Sequence, residues 1–267
     1  MRRWLNALPL TLALAALIVF ATFAASCGSN NSQARFVNAI SDDTQALDIE
    51  FNGTKVSGFG GIGPFTASGS NYVSIPTGSD QILGLASGTT TTAFGPLDSP
   101  VSFNSGSQYT VVATGKLPPN TTLIVAPVDN NTAPAVGKVN FRVIDASLAV
   151  AGAVDVYIIP NIATATPSCT LGNNCGAPAI SGVSSPQSST TPYSTYETVS
   201  YNSIGSYGYT MYVTPTTETT PVQGWSGGYQ LPEIGSVTVG SIRTIVLVDN
   251  PGGQTMSSTP ILLTDLN

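Results

Sequence analysis

Residue types able to do chemistry are scarce in this chain. Histidine is absent from all 267 residues, which removes the commonest general base, the commonest metal ligand and the usual side-chain switch between about pH 5 and 8. Serine and threonine are plentiful, but Lys55, Lys116 and Lys138 are isolated, with no S-x-x-K spacing to activate a hydroxyl. A glycosidase pair needs two carboxyls across a cleft, whereas Asp48 and Glu50 alternate on one face of one strand. They read as a solvated face opposite Arg35 or Lys55, and Asp155 reads the same way. Asn38, Asp42, Asp43 and Asp48 carry the oxygens that calcium takes, yet their spacing fits no calcium loop, and capping of turns by Asx side chains accounts for the first three. The expectation is a protein with no catalytic residues, no metal and no cofactor. An exported hydrolase is the contrary class, opposed by the missing base.

The three cysteines suggest chemistry of address and cross-linking. Residues 1–26 begin with Arg2 and Arg3, run through LPLTLALAALIVFATFAA and close on small residues, the order of an export signal. Ala24, Ala25 and Ser26 before Cys27 resemble a bacterial lipobox, with Ala24 where leucine is commonest. That resemblance implies cleavage before Cys27, a lipid anchor on it, and, with Gly28 next, delivery to the outer membrane or cell surface. An uncleaved transmembrane anchor is the competing reading, but it needs about 20 apolar residues, more than Leu10 to Ala25 supply. Residues 27–33 then form a flexible tether. Cys169 and Cys175, in CTLGNNC, are expected to pair as a disulfide in an oxidising compartment. Zinc would need further thiolates or histidines, and a redox motif would need C-x-x-C.

Tyrosines crowd the second half of the chain, from Tyr193 to Tyr229, and Trp225 is the one tryptophan left once the leader is removed. Such rings can serve as platforms for sugars, which makes Trp225 and Tyr229 the candidate ligand platform. They can equally be ordinary core and strand residues. Only 8% of residues are charged, against roughly 25% in an average domain, and loss of the leader takes the net charge from −6 to −8. No basic footprint for nucleic acid remains.

The elements that must position these residues repeat. Arg35 to Phe51 (RFVNAISDDTQALDIEF) returns without a gap at Arg142 to Ile158 (RVIDASLAVAGAVDVYI), 107 positions later. Further on, Gly106-Ser107 with Thr110 to Val112 matches Gly240-Ser241 with Thr244 to Val246 at an offset of 134. The difference is an insertion of 27 residues, expected as one long loop in the Pro-, Ser-, Thr- and Gly-rich stretch 162–201 that carries the cysteine pair. Loops that long are usually functional or disordered. Leu47, Ile49 and Phe51 alternate with polar residues as a half-buried strand does, and Asn52-Gly53 then signals a type I′ hairpin. Strands are also expected over 72–75, 81–86, 101–103, 109–114, 123–128, 243–248 and 261–263, with no helical period anywhere. Short strands with Gly and Pro turns predict an all-β chain of antiparallel sandwiches.

The opening motif is similar to that of the domain of unknown function 4397 family of bacterial cell-surface modules, which reads like VRFVNASPDAPAVDVYVDG. Arg35 to Ala39 match, then Ser41, Asp43, Ala46 to Ile49, Asn52 and Gly53 after the extra Ile40. The second copy keeps Arg142, Ala146 and Val154 to Tyr157, and both copies lack the family's prolines. The resemblance implies two tandem Ig-like β-sandwiches, 34–134 and 137–267, in an exported lipoprotein. The function expected is non-catalytic: binding, adhesion or structure in the cell envelope. The partners expected are the membrane, through Cys27, and a glycan or envelope protein, with carbohydrate binding by the second module as the alternative.

Overall fold

The computed structural model describes residues 31–69, 71–97, 100–160, 171, 175–187, 191–200, 209–222, 225, 228–231, 240–252 and 255–266. The leader, Cys27 and Cys169 lie outside these residues. Regular structure among them is strand alone. Among the described residues no helix is long and apolar enough to cross a membrane.

The N-terminal half runs β1 (Ser32–Ile40), β2 (Leu47–Phe51), β3 (Thr54–Lys55), β4 (Thr66–Ala67), β5 (Val73–Ile75), β6 (Gly78–Asp80), β7 (Ile82–Ala86), β8 (Thr92–Phe94), β9 (Val101–Phe103), β10 (Gln108–Gly115) and β11 (Thr122–Val125). The C-terminal half runs β12 (Lys138–Asp145), β13 (Ala153–Pro160), β14 (Ile180–Ser184), β15 (Glu197–Ser200), β16 (Tyr209–Pro215), β17 (Tyr229–Leu231), β18 (Ile242–Leu247) and β19 (Ile261–Leu266). Strands pair only within their own half. The first half has an inner sheet β11-β10-β1-β4, with β5 also on β1, an outer sheet β3-β2-β7-β8 and the small pair β6-β9. The second has an inner sheet β15-β12-β18-β19 and an outer sheet β14-β13-β16-β17. Pairing is antiparallel except that the first strand of each half lies parallel to a late one, β1 to β10 and β12 to β18.

Each half closes its own apolar interior between its two sheets. Phe36, Ile49, Phe51, Phe94 and Val111 share one cluster; Phe141, Val143, Val156, Met211, Trp225 and Ile245 share another. A third cluster joins the halves: Val37, Ala39 and Val112 meet Ile144, Val246 and Leu263. The four main sheets therefore stack outer, inner, inner, outer. This explains why β1 and β12 are buried on both faces. Ala34 and Phe36 point into their own sandwich, while Arg35, Val37 and Ala39 point at the other half.

Three expectations change here. The stretch 162–201 is more than a loop, because β14 and β15 lie within it; Leu171 and Cys175, from its cysteine region, pack on Tyr157, Ile159 and Tyr212 on the outer face of the outer sheet. Asp48 and Asp155 occupy the face that alternation predicts, but they are buried. Asp48 is 8% exposed and accepts hydrogen bonds from Lys55 Nζ at 2.9 Å, Ser87 Oγ at 2.8 Å and the amides of Gly61 and Gly88 at 2.9 and 3.1 Å. Those partners hold its carboxyl far below the usual range, Lys55 foremost. Asp155 accepts from the amides of Gly182 at 2.8 Å and Thr217 at 3.3 Å. Connecting loops, and β14 at Asp155, come up to this face and use each carboxylate as an anchor, which strand alternation cannot register.

Candidate functional site: a charged cluster and cleft between the halves

Arg35 and Arg142 occupy equivalent positions of the repeat and are almost fully buried, at 0% and 1% exposure. The parallel registers set Arg35 beside Thr110 and Arg142 beside Thr244, so each arginine has a hydroxyl within reach in its own sheet. Arg35 Nε donates to Thr110 Oγ1 at 3.0 Å, and Arg142 Nε donates to Thr244 Oγ1 at 3.2 Å. Beyond that first bond both guanidiniums cross to the opposite half. Arg35 Nη1 donates to the carbonyl of Thr264 at 2.8 Å and its Nη2 pairs with Asp265. Arg142 Nη1 donates to the carbonyl of Val128 at 3.1 Å and its Nη2 pairs with Asp129 at 2.5 Å. In each case the carbonyl belongs to the residue before the aspartate.

The aspartates are completed from their own halves. Asp129 accepts from Thr110 at 2.8 Å and from the hydroxyl of Tyr72 at 2.6 Å; Asp265 accepts from Thr244 and from the hydroxyl of Tyr196, both at 2.7 Å. The rings of those tyrosines stack on the guanidiniums, Tyr72 at 5.1 Å from Arg35 and Tyr196 at 4.7 Å from Arg142, within the range of a cation–π contact. The result is a pseudo-twofold cluster of two Arg-Thr-Tyr-Asp sets that exchange their arginines.

Burial opposes charge on Arg142, but Asp129, Tyr196 and Asp265 outweigh it and raise its pKa. Burial first, and then Asp129, pushes the hydroxyl of Tyr72 well above the usual phenol range; the hydroxyl of Tyr196 is likewise raised, by burial first and by Asp265 and Asp129. These phenols stay protonated as donors. A buried ion pair is favourable only when its remaining donors and acceptors are satisfied, and here they are. The cluster has the composition of a bolt, since its charges are committed to one another.

One end of the cluster opens on a cleft of about 520 Å³ lined by Pro127, Val128, Asn130, Arg142 and the run Tyr193 to Tyr196. Both halves contribute to it. Val128 is 54% exposed there, while Asn130 Oδ1 caps the amide of Thr132 at 3.0 Å.

The residues singled out in the sequence lie elsewhere. Trp225 is 0% exposed, inside the core of the C-terminal half, with Tyr229 against it at 6.2 Å between ring centroids. A stacking platform needs an open ring face, so Trp225 is no platform; it is a core anchor, and burial of its neighbourhood raises the Tyr229 hydroxyl. Asn38 and Asp43 cap turns, accepting from the amides of Ile40 and Gln45 at 3.3 and 3.0 Å, and Asp42 accepts from the amide of Leu117 at 2.8 Å. Among the described residues no group of three or more acids or cysteines is placed to hold a metal. Cys175 packs on the outer face of the outer sheet, and its expected partner Cys169 is outside the described residues. The arginine cluster itself escaped sequence reasoning. Its signal was there: an arginine between apolar neighbours on a strand, returned at the same place in the repeat of a chain poor in charge.

The fold and the cluster define a class: an all-β sandwich protein whose halves are joined by reciprocal buried ion pairs. Residues 32–157 match the family described as Domain of unknown function (DUF4397). The match runs from β1 into β13, so it takes in Arg35, Thr110, Asp129 and Arg142. No curated protein matches the chain.

Proposed function

We propose that the protein is a non-catalytic, lipid-anchored component of the cell envelope with a binding, adhesive or structural role, built of two Ig-like domains on a short tether. The observation that supports this best is the use made of its charged side chains. Arg35, Arg142, Asp129 and Asp265 neutralise one another inside the stack, and Asp48 and Asp155 tie down loops, so the residues that could do chemistry serve rigidity. The leader ending at Cys27 supports export and lipidation, with Gly28 in favour of the outer membrane. Cys169 and Cys175 form a disulfide in this reading, and free thiols at both in exported protein would count against it. The anchor is tested by radiolabelled palmitate and by globomycin, the inhibitor of lipoprotein signal cleavage. Label on the native chain, lost in Cys27→Ala, and accumulation of precursor with globomycin are expected; processing that ignores the inhibitor overturns the lipid anchor.

A further inference from the structure

We propose that the cleft between the halves, walled by Tyr193 and Tyr196 with Val128 and Asn130 at its rim, binds a neutral oligosaccharide; the inference rests on the binding role proposed above. Its volume of about 520 Å³ falls within the roughly 300–1,000 Å³ of small-ligand sites. The one charged residue in its lining, Arg142, has a side chain only 2% exposed and paired with Asp129, so the cleft presents no net charge and offers nothing to an anion or cation. What it does present is amphipathic. Tyr196 is held in place twice, by its hydroxyl on Asp265 and by its ring on Arg142, which makes it a wall that needs no ordering when a ligand arrives. Val128 adds an apolar surface that is unusual here, one of two large hydrophobic side chains left exposed among the described residues. Around these, the Asn130 Nδ2 and the Tyr193 hydroxyl make no bond among the described residues. Ring and aliphatic surface flanked by uncharged donors matches a sugar, whose C–H faces are apolar and whose edges are hydroxyls. It also places the site where both halves must be correctly docked for it to exist.

The test uses the full exported chain against neutral hexasaccharides of glucose, N-acetylglucosamine and mannose, followed by calorimetry or saturation-transfer NMR. Binding of at least one is expected, with a loss of ~tenfold or more, about 1.4 kcal/mol, in Val128→Glu, which sets a charge against the sugar. A several-fold loss in Asn130→Ala fits removal of one hydrogen bond. Val136→Ala, at a linker residue 97% exposed and outside the cleft, should bind as the native chain does. Near-UV circular dichroism on each variant separates lost binding from lost fold. Binding that survives Val128→Glu unchanged overturns the cleft while leaving a binding role intact, and binding of a proline-rich peptide in place of every sugar overturns the ligand class. No binding to any of the three sugars by folded native protein overturns the inference, whereas the envelope role stands or falls on lipidation at Cys27.

Discussion

Asp145 stands in the repeat where the first half has Asn38, and the two side chains make the same turn: each accepts the amide two residues on, Ile40 at 3.3 Å and Ser147 at 3.0 Å. They differ at the other atom. Asn38 Nδ2 donates to Asp43 at 2.8 Å, whereas Asp145 Oδ2 is buried with no partner. Burial pushes the Asp145 carboxyl well above the usual range; the Ser147 amide pulls against this, and the nearby charge of Asp249 adds to it. The folded state therefore holds this proton more tightly than the unfolded chain does. By linkage, stability falls as pH rises from the unfolded value of about 3.9 toward the folded one, because unfolding then releases a proton. Asp145→Asn keeps the shape and removes the titration. The variant should melt higher than the native protein at pH 7 and gain nothing at pH 3, where the native carboxyl is protonated in both states. Thermal scans at the two pH values decide it, and equal midpoints at pH 7 would refute the argument.

Elements were read from the sequence where local chemistry determines them. Asn52 and Gly53 both take positive φ, 49° and 74°, as the type I′ turn requires, and β2, β9, β10 and β18 fall within a residue of where their alternation places them. β6 and β8 were missed because they sit in stretches read as turns, and β14 to β17 because their surroundings are rich in Pro, Ser and Thr. Parallel pairing of β1 with β10 was also illegible, since no turn joins them and only the tertiary fold brings them together. Burial of Asp48 was missed for a related reason: alternation reports which face a side chain is on, and says nothing of a loop laid across it. Gly84 is an element-scale requirement of the same kind. A Cβ there would lie 2.2 Å from the ring of Phe94, itself fully buried. Gly84→Ala should cost about 1–3 kcal/mol, the usual penalty for overpacking. Urea denaturation measures it, and a cost under about 0.5 kcal/mol, the size of an ordinary surface change, would show that the ring has room to move.

Across the whole molecule the exchanged arginines make the stability of one half depend on the other. Arg35→Met leaves Asp265 buried without its cation, a change that costs about 3–5 kcal/mol in comparable pairs. Asp265→Asn leaves the guanidinium with only the more distant Asp129, at 3.9 Å, as a carboxylate partner while keeping an acceptor for Tyr196 and Thr244. The double variant should be less destabilised than the two losses added together, by a coupling of about 1–3 kcal/mol. Additivity within about 0.5 kcal/mol, measured by urea unfolding of all four proteins, would mean that the Arg35–Asp265 pair contributes no coupling between the halves. The repeat announced two copies of a module. It could not announce that the copies face each other, because β1 and β12 carry apolar side chains on both faces and nothing local says which of the two meets the other half.

The parallel pairing of β1 has a kinetic consequence. Arg35 meets Thr110 at a separation of 75 residues and Asp265 at 230, contacts that a chain closes late because long loops must be ordered first. When the N-terminus is delivered ahead of the rest, β1 is the first strand to appear and waits for β10. During that interval a nine-residue strand that the closed fold buries on both faces has at most the short β4 and β5 beside it and no cover from the other half, the condition under which strands pair with the wrong chain. The scaffold is rigid once closed, and its time of greatest exposure is during synthesis.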